Sequence, residues 1–246
     1  MSHQEEPRRR FLRQVLAIVP AATVATGATI TQSACDSNSG HREAREDAAD
    51  NSARHHPTFF TDVEWIFIHA AVDRLIPEDS LGPGAVKAGV PEYIDRQMEM
   101  PYGHGKLWYM QGPFHTDQAP EMGYQLNLTP RDIYRNGIKE CDEYCAKQYS
   151  GKAFSKLDVA TQETVLHAVE KGQVHFESVP AKVFFSYLLA NTKEGFLADP
   201  IYGGNKNMVG WKMVGFPGAR ADYMDWIDQP GVKYPYGPVS IDGRRG

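Results

Sequence analysis

Past residue 57 the apolar positions recur mostly at helical spacing. Trp65, Ile68, Val72, Leu75 and Ile76 fall on one helix face. Thr61 and Glu64 form a capping box ahead of them, and Pro77 stops the run. Leu81-Gly82-Pro83-Gly84 is a turn, and from Ala85 the chain is helix-compatible again through Asp95. Thr129 caps a further helix with Pro130 in its first turn. Ile133, Gly137, Ile138, Cys141, Tyr144 and Cys145 make its apolar face, and Ser150-Gly151 closes it. A helix is predicted from about Asp158 to Lys171, ending at Gly172. Another runs from Pro180 to Phe196 with Phe184, Phe185, Leu188 and Leu189 inside, and a short one covers Ala219 to Ile227. Two stretches, 103–123 and 195–218, are irregular yet rich in Gly and aromatic residues. Strand signals are nearly absent. The fold class expected is mainly α: an irregular helical domain with long, ordered aromatic and Gly-rich loops.

The first 56 residues are patterned differently. Arg8, Arg9, Phe11 and Leu12, with Arg10 and Arg13 beside them, form a twin-arginine export signal. The weakly apolar stretch from Val15 to Ile30 is interrupted by Pro20 and Gly27. It is shorter and less greasy than the ~20 apolar residues a spanning helix needs. The twin-arginine translocase carries proteins already folded, so this chain or a companion must fold before it crosses. Cofactor insertion in the cytoplasm is the usual reason. The expected location is the periplasmic side of the bacterial inner membrane. Cleavage falls near Ala25-Thr26-Gly27 or near Ala34. Ser33-Ala34-Cys35 also faintly resembles a lipoprotein site, although Gln32 stands where an aliphatic residue belongs. The organisation expected is a signal over 1–35, a solvated linker over 36–56 and one helical domain over 57–246.

Charge narrows the partners. The net charge of −5 advertises no nucleic-acid surface. Twelve Tyr, 11 Phe and 4 Trp are ample for a core or a sizeable interface. Candidate chemistry is sparse. The sequence has no Gly-x-Gly-x-x-Gly after a strand, no phosphate-binding loop, no Cys-x-x-Cys-His and no His-Glu-x-x-His. Its histidines are scattered, with His104 and His115 in the first irregular stretch. No catalytic, cofactor-binding or metal-ligating residue is therefore expected in this chain itself.

Cys141 and Cys145 lie one helical turn apart. Two sulfurs alone do not make a structural zinc site. They read as small buried helix residues, as a bond to a partner subunit in an oxidising compartment, or, least well, as a bond within one helix. The stretch 195–218 carries Phe196, Tyr202, Trp211 and Phe216 among tightly turning glycines. It reads as a self-packed cap on the helices or as a rigid platform for another protein.

Long motifs sharpen this. Asp199-Pro-Ile-Tyr-Gly-Gly-Asn205, Gly210-Trp211-Lys and Gly215-Phe-Pro-Gly218 resemble the signature of the gluconate 2-dehydrogenase subunit 3 family. Phe59-Phe60-x4-Trp65, Asp73-Arg74-Leu75-Ile76-Pro77 and Pro83-Gly84-Ala85-x-x-Ala88-Gly89-Val90-x-x-Tyr93-Ile94-Asp95 are similar to its first half. The twin-arginine signal belongs to the same pattern, so the resemblance runs from the export signal to about Pro217.

That resemblance implies a small subunit of a membrane-associated periplasmic sugar or sugar-acid dehydrogenase, a heterotrimer. Its large subunit is a flavoprotein of the glucose–methanol–choline (GMC) type, which binds FAD and uses a His base while hydride passes to flavin. A multihaem cytochrome c subunit, with haem c, passes electrons to quinone. The small subunit lends its export signal to the flavoprotein. The implied substrate is D-gluconate, oxidised to 2-dehydro-D-gluconate; relatives serve glucose, fructose and ketogluconate dehydrogenases. Phe196, Tyr202, Trp211 and Phe216 are then expected to form or support the partner surface. Two other classes stay open: an autonomous enzyme with a site around His104, His115 and Asp199, and a chaperone that releases its client after export.

Overall fold

The computed structural model describes residues 55–220 and 223–246. The export signal (Arg8, Arg9, Phe11, Leu12) and Cys35 lie outside the described residues. Among the described residues six α-helices carry the fold: α1 Asp62–Leu75, α2 Val90–Glu99, α3 Pro130–Gln148, α4 Val159–Glu170, α5 Ala181–Leu197 and α6 Val209–Val214. Among the described residues the only β features are isolated bridges, such as Gly218 with Val239. The fold is thus mainly α, with an irregular arrangement.

Local chemistry sets the helix starts. Thr61 Oγ1 accepts from the Glu64 amide while Glu64 accepts from the Thr61 amide at 2.8 Å. Thr129 and Asp132 repeat the arrangement at α3, and Asp158 caps α4 by accepting from the Thr161 amide at 3.0 Å. These caps satisfy amides that have no partner within the helix.

Helix α5 is the hub and touches each of the other five. Phe184 on α5 is fully buried. Its ring packs against Phe67 of α1 at 6.2 Å and edge-on to Tyr134 of α3 at 6.3 Å between centroids. Gly137 makes the α3–α5 approach possible, since a Cβ there would lie inside the Phe184 ring. Gly137→Ala is accordingly expected to force the helices apart. It should cost about 1–3 kcal/mol, read as a lowered midpoint in denaturant unfolding; an unchanged midpoint would contradict this packing.

Three local expectations are corrected. Residues 85–89 form a turn, and α2 starts only at Val90, because Gly89 adopts a left-handed φ of +78°. The helix expected over Ala219 to Ile227 is a single short turn at Met224–Trp226. The Ala219 amide instead donates to the Val239 carbonyl at 2.7 Å, so the chain leaves Gly218 paired to a distant segment. Helix α6, inside the second aromatic stretch, was not legible from spacing. It is entered through left-handed Asn205, Asn207 and Met208.

Candidate partner interface

The stretch 195–218 is held by its own polar groups. Asn205 is fully buried. Its Nδ2 donates to the Ala198 carbonyl at 2.9 Å and its Oδ1 accepts from the Gly210 amide at 2.8 Å. One side chain thereby joins the end of α5 to the start of α6 and leaves no polar atom orphaned. Asp199 Oδ1 accepts from the Ile201 amide at 3.1 Å, while Oδ2 accepts from the Ile241 amide at 2.8 Å. Trp211 Nε1 donates to the Leu197 carbonyl at 2.7 Å.

The two distant halves of the sequence motif meet here. The Lys206 amide donates to the Ala88 carbonyl at 2.9 Å. A Cβ on Gly89 would stand 2.6 Å from the Gly203 carbonyl oxygen, so the segments touch backbone to backbone. Glu92 of α2 is a buried anchor for cations: Lys206 Nζ lies at 2.6 Å and Arg96 at 2.5 Å. Burial pushes the Glu92 carboxyl up, but Lys206 and Arg96 outweigh it and hold it below the usual range.

One turn on, Asp95 organises the chain's approach to α1. Its carboxylate accepts from the amides of Thr58, Phe59 and Phe60 at 2.9, 3.0 and 3.1 Å, and His55 Nε2 stands at 2.8 Å. His55, which composition places in the linker, is thus tied to the body. Burial pushes the Asp95 carboxyl up, but the Thr58 amide, His55 and the Phe60 and Phe59 amides outweigh it and hold it low. Depressed carboxylates contribute stability above their unfolded pKa and lose it as pH falls through the folded one. We expect stability to decline from about pH 4 downward. Asp95→Asn should reduce that acid dependence while lowering stability at neutral pH, because an amide NH2 meets donors. Acid titration of the unfolding free energy checks this; an identical pH slope in the variant would contradict it.

The four aromatics of the expected partner surface divide into two roles. Phe196 and Trp211 are only 5% exposed each, whereas Tyr202 is 45% and Phe216 46% exposed. The Trp211 ring meets Phe216 edge-on at 5.1 Å. Trp211 thus backs the exposed Phe216, while Phe196 is packed inside and Tyr202 stands at the surface. Val214, Leu197 and Ile241 are also exposed. Ile241 belongs to the C-terminal arm, which the Asp199 carboxylate draws back to the signature. Earlier in that arm Ile227, Val232 and Tyr236 are exposed. Their Pro- and Gly-broken segment gives no periodic signal in the sequence. Beside Tyr202 an open groove of about 640 Å³ runs between Tyr93 and Gln97 of α2 and Glu194 and Leu197 of α5.

Residues 62–218 match the family of gluconate 2-dehydrogenase subunit 3, well over half of the 246 residues. The chain belongs to the gluconate 2-dehydrogenase subunit 3 family. No curated protein and no solved structure matches it. Membership assigns this subunit 3 homologue a small-subunit role in a dehydrogenase complex of that general type.

In this family member the other candidate residues do not converge. His104 is exposed, 3.4 Å from an Arg131 nitrogen, and the exposed His115 gives its amide to Gln125. Neither lines the groove that Asp199 borders, and both Asp199 oxygens already hold backbone amides. Among the described residues no group of three or more His, Cys, Asp or Glu could hold a metal ion, and no helix is long and apolar enough to cross a membrane. Cys141 and Cys145 are free thiols, both fully buried on the core face of α3. Hydrogen bonding to Cys145 and burial push the Cys141 thiol well up. A bond from either to another chain would require that face to open.

Proposed function

We propose that this chain is the non-catalytic small subunit of a periplasmic, membrane-bound gluconate 2-dehydrogenase. In this reading a GMC-type flavoprotein carries FAD and oxidises D-gluconate to 2-dehydro-D-gluconate. A multihaem cytochrome c takes the electrons onward. The chain contributes two things: the twin-arginine signal that exports the folded, FAD-loaded flavoprotein, and a rigid face that holds it afterwards. The family match over 62–218 carries the proposal. The exposed Tyr202 and Phe216, the latter edge-on to buried Trp211, support the second contribution.

The test is to draw the tagged chain from its native membranes in mild detergent and record an absorption spectrum. Flavin and c-type haem bands, with dye reduction on adding D-gluconate, are expected. A colourless single chain would overturn the reading. Dye reduction with glucose or ketogluconate in place of gluconate would keep the assembly and replace the substrate.

A further inference from the structure

The groove beside Tyr202 has a carboxylate fixed from behind. Glu194 Oε2 accepts from Nδ2 of Asn191 at 2.8 Å. Asn191 is buried, and its Oδ1 accepts from the Tyr134 hydroxyl at 2.9 Å, while its Nδ2 also reaches the Tyr102 hydroxyl at 3.0 Å. A core network running through α3 and α5 therefore sets where the Glu194 carboxylate stands. That is a heavy structural investment for a residue whose side chain faces solvent.

The walls are placed with equal definition. The Tyr93 ring lies against Gly195, where a Cβ would come within 2.7 Å of Cδ1. Tyr202 is the last residue of the turn capped by Asp199. Burial, with the Glu194 and Tyr202 charges, pushes the Tyr93 phenol up to about 12, so the ring keeps its proton across the working range. Two tyrosine rings, the Leu197 side chain and the Gln97 amide thus surround one oriented carboxylate. Glu194 and Asp199 outnumber Lys193 around the groove, which leaves it net acidic.

We propose that this groove receives an arginine side chain of the flavoprotein partner, with the guanidinium on Glu194 and its flat face against the tyrosine rings. The inference rests on the small-subunit reading above. Charge and shape select the occupant. A guanidinium both stacks on aromatic faces and forks onto a carboxylate, which a lysine ammonium does only as a point charge. A neutral sugar would also use the rings and donate its hydroxyls to the carboxylate, but it would leave the net acidic lining uncompensated, which a guanidinium does not. Tyr202 itself lines the groove, so occupying it would bury that exposed ring of the signature in the same contact.

The experiment uses the whole complex. Tagged chain bearing Glu194→Gln, Glu194→Lys or Tyr202→Ala is compared with wild type for flavoprotein retained and for its dissociation constant. Glu194→Gln keeps an oxygen for Asn191, so its unfolding midpoint should match wild type. Its affinity for the flavoprotein should fall about tenfold, the scale of one lost charge-assisted pair of roughly 1.4 kcal/mol, and Glu194→Lys should fall further. Wild type that retains the flavoprotein while all three variants retain it equally would overturn the groove assignment alone, and would leave the groove to a neutral ligand such as a sugar. Wild type that retains no flavoprotein would overturn the small-subunit reading and this inference with it.

Discussion

Replacing Arg8 and Arg9 together by lysine is expected to trap the flavoprotein's dye-linked activity in the cytoplasm. Lysine keeps the positive charge of the segment but loses the planar, five-donor guanidinium, so the change separates recognition from electrostatics. Both positions precede residue 55, where the helical body begins. The assembled small subunit should therefore fold and bind its partner as before, on the wrong side of the membrane. Fractionation into periplasmic, membrane and cytoplasmic activity reads the result. Nearly all activity should move to the cytoplasmic fraction, with total activity preserved. Undiminished activity outside would mean that the flavoprotein crosses without this escort.

The second large effect is expected at Trp211. Its ring is 5% exposed, its Nε1 donates to Leu197 at 2.7 Å, and its far edge lies under Gly218. Trp211→Ala removes a buried aromatic and leaves the Leu197 carbonyl without its donor. A loss of about 3–5 kcal/mol is expected, seen as a strongly lowered unfolding midpoint, together with failure to retain the flavoprotein. Phe216→Ala is the informative contrast. Phe216 is half exposed, so its loss should leave the midpoint nearly unchanged and weaken retention alone. Equal effects of the two substitutions on stability would contradict the division into supporting and contacting aromatics.

Four of the six helices were readable from the chain because their ends are written locally. The Thr61–Glu64 and Thr129–Asp132 boxes, the Asp158 cap and the apolar spacing around Phe184 each lie within a few residues of what they specify. The failures are positions where a distant segment decides. Residues 85–89 turn because Gly89 must clear the Gly203 carbonyl. Ala219 is drawn to Val239 instead of opening a helix. Helix α6 follows three left-handed residues whose conformation is held by Asn205 and its contacts to Ala198 and Gly210, which no periodicity announces.

The candidate interface was half legible for the same reason. Aromatic content marked 195–218 as a segment that must be buried or bound, but the sequence does not say which rings turn inward. The structure decides it through the Asn205 and Trp211 bonds, which sink Trp211 and leave Phe216 at the surface. The groove was not legible at all. Tyr93 and Gln97 are about a hundred residues from Glu194 in the chain, and only the packing of α2 on α5 brings them together. Asp95, a carboxylate of the motif's first half, is likewise committed by distant sequence, to the amides of Thr58, Phe59 and Phe60 and to His55.

The central claim is that the chain remains in the working enzyme after export. Native mass measurement of the active dehydrogenase, purified through its flavoprotein from the periplasmic face of the membrane, tests it most directly. The account predicts one copy of this chain's helical domain for each flavoprotein. A fully active exported dehydrogenase that lacks the chain would contradict it and make the protein an escort that leaves its client.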